Sequence, residues 1–309
     1  MKRDLISIRD LTREEIEEFF ALAKDLKDRL ERDKTHPLLP GKTLALIFEK
    51  PSLRTRVAFE VAMTHLGGHA IYLTPQDIRL GARETVEDAA RNLSRWVDGI
   101  VARTFCHELV ERLAHYTTVP VINGLTDLLH PCQVLSDLFT LQEKRGRLEG
   151  LRVAFIGDGN NVCNSWLCAA ARMGITLTVA CPEGYEPDRD VLTKAQAEAT
   201  STQAQVKIIH DPVQAAKGAD VLYTDVWTSM GQEEEQARRM RDFQGFQVNQ
   251  ALVNLAQQEV LVMHCLPAHR GEEITDEVMD GPHSIILDQA ENRLHVQKGI
   301  LVKLLRSRT

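Results

Sequence analysis

Short apolar runs alternate with stretches of helical periodicity along the whole chain, and this alternation constrains the fold more than any other feature. The short apolar runs read as strands and the periodic stretches as helices, the signature of α/β architecture. Such runs suit strands covered on both faces of a parallel sheet. The spacing predicts strands at 43–48, 70–73, 99–103 and 119–122, then at 152–156, 176–180, 206–209, 221–224, 261–264 and 284–287. Helices fall between them. Thr12 and Glu15 form a capping box ahead of Ile16, Phe19, Phe20, Ala23, Leu26 and Leu30 at helical spacing. Ser52 caps a helix carrying Phe59, Ala62, Met63 and Leu66, which Gly67-Gly68 ends. Further helices are expected at 84–96, 108–116, from Pro131 to about Gln142, and from about Ala290 to the C-terminus. The fold class is α/β.

The chain has 309 residues, room for about two domains of roughly 150. The charged, Gly-punctuated stretch from Glu143 to Gly150 is the best boundary, giving domains 1–147 and 148–309. With 37 basic and 44 acidic side chains, the net charge of −7 argues against nucleic-acid binding. It leaves room for a small anion in a locally positive pocket. The longest apolar run, Trp166 to Ala171, is far below the roughly 20 residues that a membrane helix needs. The N-terminal residues lack the character of a signal or transit peptide. The six cysteines contain no Cys-x-x-Cys pair, so free thiols in the cytoplasm are expected.

Six segments carry chemistry. In Phe48-Glu49-Lys50-Pro51-Ser52-Leu53-Arg54-Thr55-Arg56 a strand end meets a helix N-terminus, which aims N–H groups at an anion beside hydroxyl and guanidinium donors. His130-Pro131-Cys132-Gln133 opens a helix with Pro at its first position. Gly157-Asp158-Gly159-Asn160-Asn161 begins like a dinucleotide fingerprint, but Val162 stands where the third glycine belongs, and the next strand runs into Cys181-Pro182 without an acid. A nicotinamide cofactor is therefore disfavoured, and Asn160 and Asn161 become candidate ligands. Asp225 to Gly231 follows a strand, where an aspartate can meet an ammonium group; Glu233-Glu234-Glu235 reads as a solvated helix face. Met263-His264-Cys265-Leu266-Pro267 ends a strand at a thiol, either structural or catalytic, beside a Leu-Pro bond that can be cis. Glu291-Asn292-Arg293 opens the last helix. The histidine spacings are broken by Pro267 and by Gly67-Gly68, so no metal site is expected.

Ser-x-Arg-Thr-Arg, Arg103, His-Pro-Cys-Gln, Gly-Asp-Gly-Asn-Asn, Asp-x-x-x-Ser-Met-Gly, His-Cys-Leu-Pro and Glu-Asn-Arg, in that order over residues 1 to about 305, closely resemble the aspartate/ornithine carbamoyltransferase family in its ornithine branch. The resemblance implies two doubly wound parallel-sheet domains linked by interdomain helices: a carbamoyl-phosphate domain, then an ornithine domain. The last helix, about 290–309, packs back on the first. It implies no cofactor, and a cytoplasmic homo-oligomer, a trimer or a multiple of trimers. Carried over by position, Ser52, Leu53, Arg54 and Thr55 cradle phosphate, and Arg103, His130 and Gln133 hold the carbamoyl group, with Pro131 and Cys132 beside them. Arg293 is a further carbamoyl-phosphate ligand, and Arg56 adds charge nearby. Arg79 stands where many relatives have a Gln that touches the same ligand, and Leu53 where Thr is commoner. Asn161, Asp225, Ser229 and Met230 grip ornithine, and Cys265 and Leu266 form the loop beside the reacting amine. Arg103, His130, Asp225 and Cys265 are the expected catalytic residues.

Overall fold

The computed structural model describes residues 2–32, 35–229 and 231–306. By its internal contacts the chain forms two compact units, Met1–Phe139 with Glu291–Thr309, and Thr140–Ala290. The expected boundary at 147/148 lies shortly beyond the 139/140 division, within the second unit. Nine strands lie among the described residues: β1 (Thr43–Phe48), β2 (His69–Leu73), β3 (Gly99–Arg103), β4 (Val121–Leu125), β5 (Arg152–Ile156), β6 (Thr176–Ala180), β7 (Gln205–Ile209), β8 (Val221–Thr224) and β9 (Leu261–His264). Twelve α-helices are described: α1 (Arg13–Glu31), α2 (Leu53–His65), α3 (Val86–Leu93), α4 (His107–Tyr116), α5 (Pro131–Arg145), α6 (Asn161–Met173), α7 (Arg189–Thr202), α8 (Pro212–Ala216), α9 (Gln236–Asp242), α10 (Gln250–Val253), α11 (Asp276–Met279) and α12 (Ile286–Leu305). Both α5 and α12 run across the division between units.

Each unit is a parallel sheet wound in both directions. The first has strand order β2-β1-β3-β4, so the winding reverses between β1 and β3. The second has order β7-β6-β5-β8-β9 and reverses between β5 and β8. In such sheets ligands are held where the loops part, beyond the carboxyl ends of the strands at the reversal. Register makes this concrete. Phe48 pairs with Arg103, while Ile156 pairs with Thr224, and Thr224 with His264. The residues after β5, β8 and β9 therefore leave the second sheet side by side.

The central strands are apolar and buried along nearly their whole length, as coverage on both faces requires. In the first unit, Gly299 of α12 allows the close approach of α1, where an added Cβ would lie 2.9 Å from the Phe19 carbonyl oxygen. In the second, Trp166 of α6, Phe155 of β5 and Tyr223 of β8 form an aromatic cluster, with Tyr223 ring centroids 5.4 Å and 5.2 Å from the other two. Each such pair adds about 0.5–1.5 kcal/mol beyond burial alone.

Three sequence expectations need correction. The fourth strand is not 119–122 but Val121–Leu125: Pro120 cannot donate to a ladder, and the strand continues through Asn123-Gly124, whose propensities argue against it. Gly124 is tolerated because an added Cβ would meet Val101 at 2.9 Å. No strand spans 284–287: Ser284 makes one bridge to Val262, and α12 begins at Ile286. A short apolar run alone does not separate strand from buried helix. The helix expected over 84–96 is only Val86–Leu93, capped by Thr85.

The loop after β5 depends on a missing side chain. A Cβ on Gly159 would lie 2.2 Å from the Pro187 nitrogen and 2.4 Å from the Glu186 carbonyl carbon, backbone atoms with no flexible end to move. Gly159→Ala should lower unfolding stability by about 1–3 kcal/mol or more; a wild-type urea midpoint would contradict this packing.

Candidate active site

The first unit gathers positive charge at its sheet reversal. Ser52 caps α2, its Oγ accepting from the Thr55 N–H at 3.3 Å, and no acidic residue occupies the first turn. The positive end of the helix is therefore open to an anion. Leu53 is 74% exposed at the first helical residue, so it offers this site only its backbone N–H. Thr55 is buried, and its Oγ1 accepts from the Arg293 guanidinium at 2.6 Å, which fixes α12 to α2. Arg103 is the last residue of β3 and is also buried. His130 immediately precedes α5, followed by Pro131 at its first position. Gln133 follows on the same helix, and its amide nitrogen donates to Asp137 Oδ1 at 2.8 Å. That bond leaves its Oε1 available to accept.

These residues act on one another electrostatically. Burial, then the charges of Arg293, Arg103 and Arg54, hold the His130 pKa well below the ordinary imidazole value. His130 is thus a neutral ring among three guanidinium groups, able to donate one hydrogen bond without adding charge. Cys132 is different. Burial pushes its thiol up to about 12, and its Sγ donates to the Asn123 carbonyl oxygen at 3.4 Å. It packs α5 onto β4 as an inert thiol. Arg56 turns away from the expected cluster: it pairs with Glu60 at 2.9 Å and stacks on Tyr72 at 3.7 Å. Arg79 is exposed after the outer strand β2 and is not among the charges acting on His130.

In the second unit Asp225, directly after β8, is a hub. Its Oδ2 accepts from Asn160 Nδ2 at 2.7 Å, and its Oδ1 accepts from the Cys265 thiol at 2.9 Å and the Val226 N–H at 2.8 Å. Asn160 thereby joins two loops, since its Oδ1 also caps α6. Asn161 follows as the first residue of α6, half-buried. Ser229 is half-buried, and its N–H donates to Gln232 Oε1 at 3.1 Å. Met230 lies outside the described residues. The Leu266-Pro267 bond is cis, as the sequence allowed. Asp225, His264 and Cys265 place ligand-type atoms within 4.8 Å of one another, and so do His269, Glu272 and Glu273. All six take part in hydrogen bonds or close pairing among themselves or with neighbouring loops, Glu272 Oε2 lying 3.5 Å from His269 Nδ1.

Sequence reasoning missed Arg239. This buried α9 residue pairs with Asp158 at 3.0 Å and donates to the Trp227 carbonyl oxygen at 2.9 Å. It ties the loop after β5 to the loop after β8. Its Nε also pairs with Glu235 at 3.0 Å, so the expected solvated Glu233–Glu235 face is instead partly engaged in holding α9. A lone arginine in a polar helix has no signature in sequence. In the sequence Asp158 stands out only as part of a glycine motif. Burial pushes its carboxyl up to about 6, although Arg239 opposes the shift. An acid raised in the folded state binds more protons folded than unfolded between its two pKa values. Stability therefore falls as pH rises from about 4 to about 6. Relative to Asp158→Asn, wild type should lose about 3 kcal/mol of unfolding free energy across that window. A pH-independent difference between the two proteins in urea would contradict it.

Known proteins resemble this chain over nearly its whole length. Residues 3–143 match the family model described as the aspartate/ornithine carbamoyltransferase carbamoyl-P binding domain, and residues 149–304 its Asp/Orn binding domain. The ornithine carbamoyltransferase of Methanosarcina mazei is 55% identical over 306 residues, covering 99% of this chain and all of the relative. That of Pyrococcus horikoshii is 54% identical over 303 residues, 98% and 96% of the two chains. Among solved structures, ornithine carbamoyltransferase from Pyrococcus furiosus superposes with a TM-score of 0.97 at 53% identity, covering 100% of this chain and 98% of its own. The anabolic enzyme of Campylobacter jejuni gives 0.92 at 40%, covering 98% and 99%. The chain belongs to the aspartate/ornithine carbamoyltransferase family.

Proposed function

We propose that this chain transfers the carbamoyl group of carbamoyl phosphate to the δ-amine of L-ornithine, giving L-citrulline and phosphate in the arginine-biosynthetic direction. One observation carries the residue-level reading. Three guanidinium groups surround a neutral imidazole at one sheet reversal, and a carboxylate bonded to a thiol stands at the other. The first set suits a phosphorylated carbonyl compound, the second an amine.

The helix α2 N-terminus, Ser52, the Leu53 N–H, Arg54 and Thr55 bind the phosphate, with Arg293 held against Thr55. Arg103, His130 and the Thr55 hydroxyl donate to the carbonyl oxygen. Gln133 Oε1 accepts from the carbamoyl NH₂, and Pro131 and Cys132 contribute backbone that shapes the helix start. Arg79 is assigned to the same ligand from its sequence position. Asp225, Asn161, Ser229 and Met230 hold the amino-acid end of ornithine, and Cys265 with Leu266 orients the δ-amine.

The neutral amine attacks the carbonyl carbon, and the carbonyl oxygen becomes an oxyanion. Collapse breaks the carbon–oxygen bond to phosphate, and the proton shed by nitrogen ends on the departing phosphate. No covalent intermediate with the protein is needed. Rate comes from positioning and from donors aimed where charge develops. The net charge of His130 does not change in the cycle, since its donated hydrogen bond strengthens without proton transfer. The reading extends to a homotrimer, or a multiple of trimers, in the cytoplasm, which family membership supports. Among the described residues no helix is long and apolar enough to cross a membrane.

Arg103→Ala should lower kcat by about 10²–10³ at saturating substrates, the usual loss for one oxyanion donor. Near-wild-type turnover would remove it from that role. Asp225→Ala should raise KM for ornithine far more than KM for carbamoyl phosphate; equal changes would remove Asp225 from the amine site.

A further inference from the structure

We infer that His264 and Glu273 are positioning residues that set the loop carrying Cys265 and Leu266, and that His264 acts as a neutral ring that holds the loop rather than passing a proton. The inference rests on the assignment of that loop to the reacting amine.

The hydrogen bonds fix the protonation of His264. The Leu266 N–H donates to His264 Nδ1 at 2.8 Å. A nitrogen that accepts from an amide carries a lone pair, so the ring proton resides on Nε2. Nε2 lies 2.9 Å from Glu273 Oε1 and donates to it, and neither side chain has any solvent exposure. An imidazolium would set its Nδ1 proton against the Leu266 N–H. Both ring nitrogens are thus committed, one to backbone and one to a carboxylate. Neither is left to exchange a proton with the reacting amine.

The same bonds close the loop at both ends. Glu273 Oε1 also accepts from the His269 N–H at 2.7 Å, and the His264 N–H donates to Gln289 Oε1 at 3.0 Å. The segment 264–269 is therefore pinned through one buried carboxylate and one ring. Leu266 shows what is being held. Its φ is +60°, the left-handed region that a branched residue rarely enters. Such a residue is strained and persists only where its surroundings over-determine it. Released from His264, the backbone at Leu266 returns to an ordinary conformation, and Cys265 loses its registration on Asp225, now 2.9 Å away.

Two substitutions separate the halves of the ring. His264→Asn keeps an oxygen near the Nδ1 position and loses the donor to Glu273; His264→Gln keeps a donor near Nε2 and loses the acceptor for Leu266. With the Leu266 bond as the essential one, His264→Gln should lose at least about 100-fold in kcat, the scale of a 1 Å misplacement. His264→Asn should lose less than about tenfold. KM for carbamoyl phosphate should be unchanged in both, and the position of the pH–rate limbs should match wild type. Equal losses in the two variants, wild-type turnover in His264→Gln, or a pH limb that moves or vanishes would overturn the proposal. In the wild-type protein at pH 7, ¹⁵N spectra of His264 should show the ring proton on Nε2 and a bare Nδ1. The opposite tautomer, or a proton on both nitrogens, would overturn it without any variant. Cys265→Ala measured alongside separates the underlying reading: full turnover there removes the loop from the chemistry. A slow Cys265→Ala with indistinguishable His264 variants overturns the positioning role alone.

Discussion

Gathering three guanidinium groups around one imidazole is the constraint on which the first unit depends. Like charges brought together out of water repel, and the ring among them responds by staying neutral. These groups come from four separate stretches of the chain. Arg54 rides on α2, Arg103 ends β3, His130 precedes α5 and Arg293 comes from α12, which returns from the far end of the chain. Each must be delivered by packed secondary structure. The parallel sheet does this by ending β1 and β3 in register, and the Arg293–Thr55 bond by tying α12 to α2. An anion placed there would turn the repulsion into attraction.

The second unit solves the opposite problem with the same architecture. Asp225 is buried and must be satisfied, and it takes donors from the loop after β5, from the Val226 N–H and from the thiol after β9. Three strand ends in register bring those donors together. Around this centre a further layer holds the loops. Arg239 joins Asp158 to the Trp227 carbonyl, and Glu273 joins His264 to His269. The buried Arg239–Asp158 ion pair adds little net stability but is expensive to break, as is the buried carboxylate–imidazole hydrogen bond, which suits both to fixing geometry.

Much of the fold was legible because buried parallel strands leave an unbroken apolar run. The runs at 43–48, 99–103, 152–156, 176–180, 221–224 and 261–264 are strands with those bounds. Failures came where tertiary packing overrode local preference: Asn123-Gly124 inside β4, and Ile285-Ile286 at the start of a helix. Motif residues were legible as well, since chemistry at a strand end needs particular side chains next to Gly, Pro or a helix cap. Their supports were not. Arg239, Glu273 and Gln289 are single polar residues in polar stretches, and only the packed chain shows that each faces inward to a loop. Arg56 failed for the converse reason: the Arg-Thr-Arg run places its two arginines on different faces of α2, and Glu60 one turn on claims the second.

The proposed activity is transfer of a carbamoyl group from carbamoyl phosphate to ornithine. Citrulline and phosphate release from carbamoyl phosphate, measured with ornithine, putrescine and aspartate as separate acceptors, tests it most directly. The expected result is rapid release of citrulline and phosphate in equal amounts with ornithine, and little with either of the others. Equal rates with putrescine, which lacks the carboxylate and α-amine, or turnover with aspartate alone, would contradict the account.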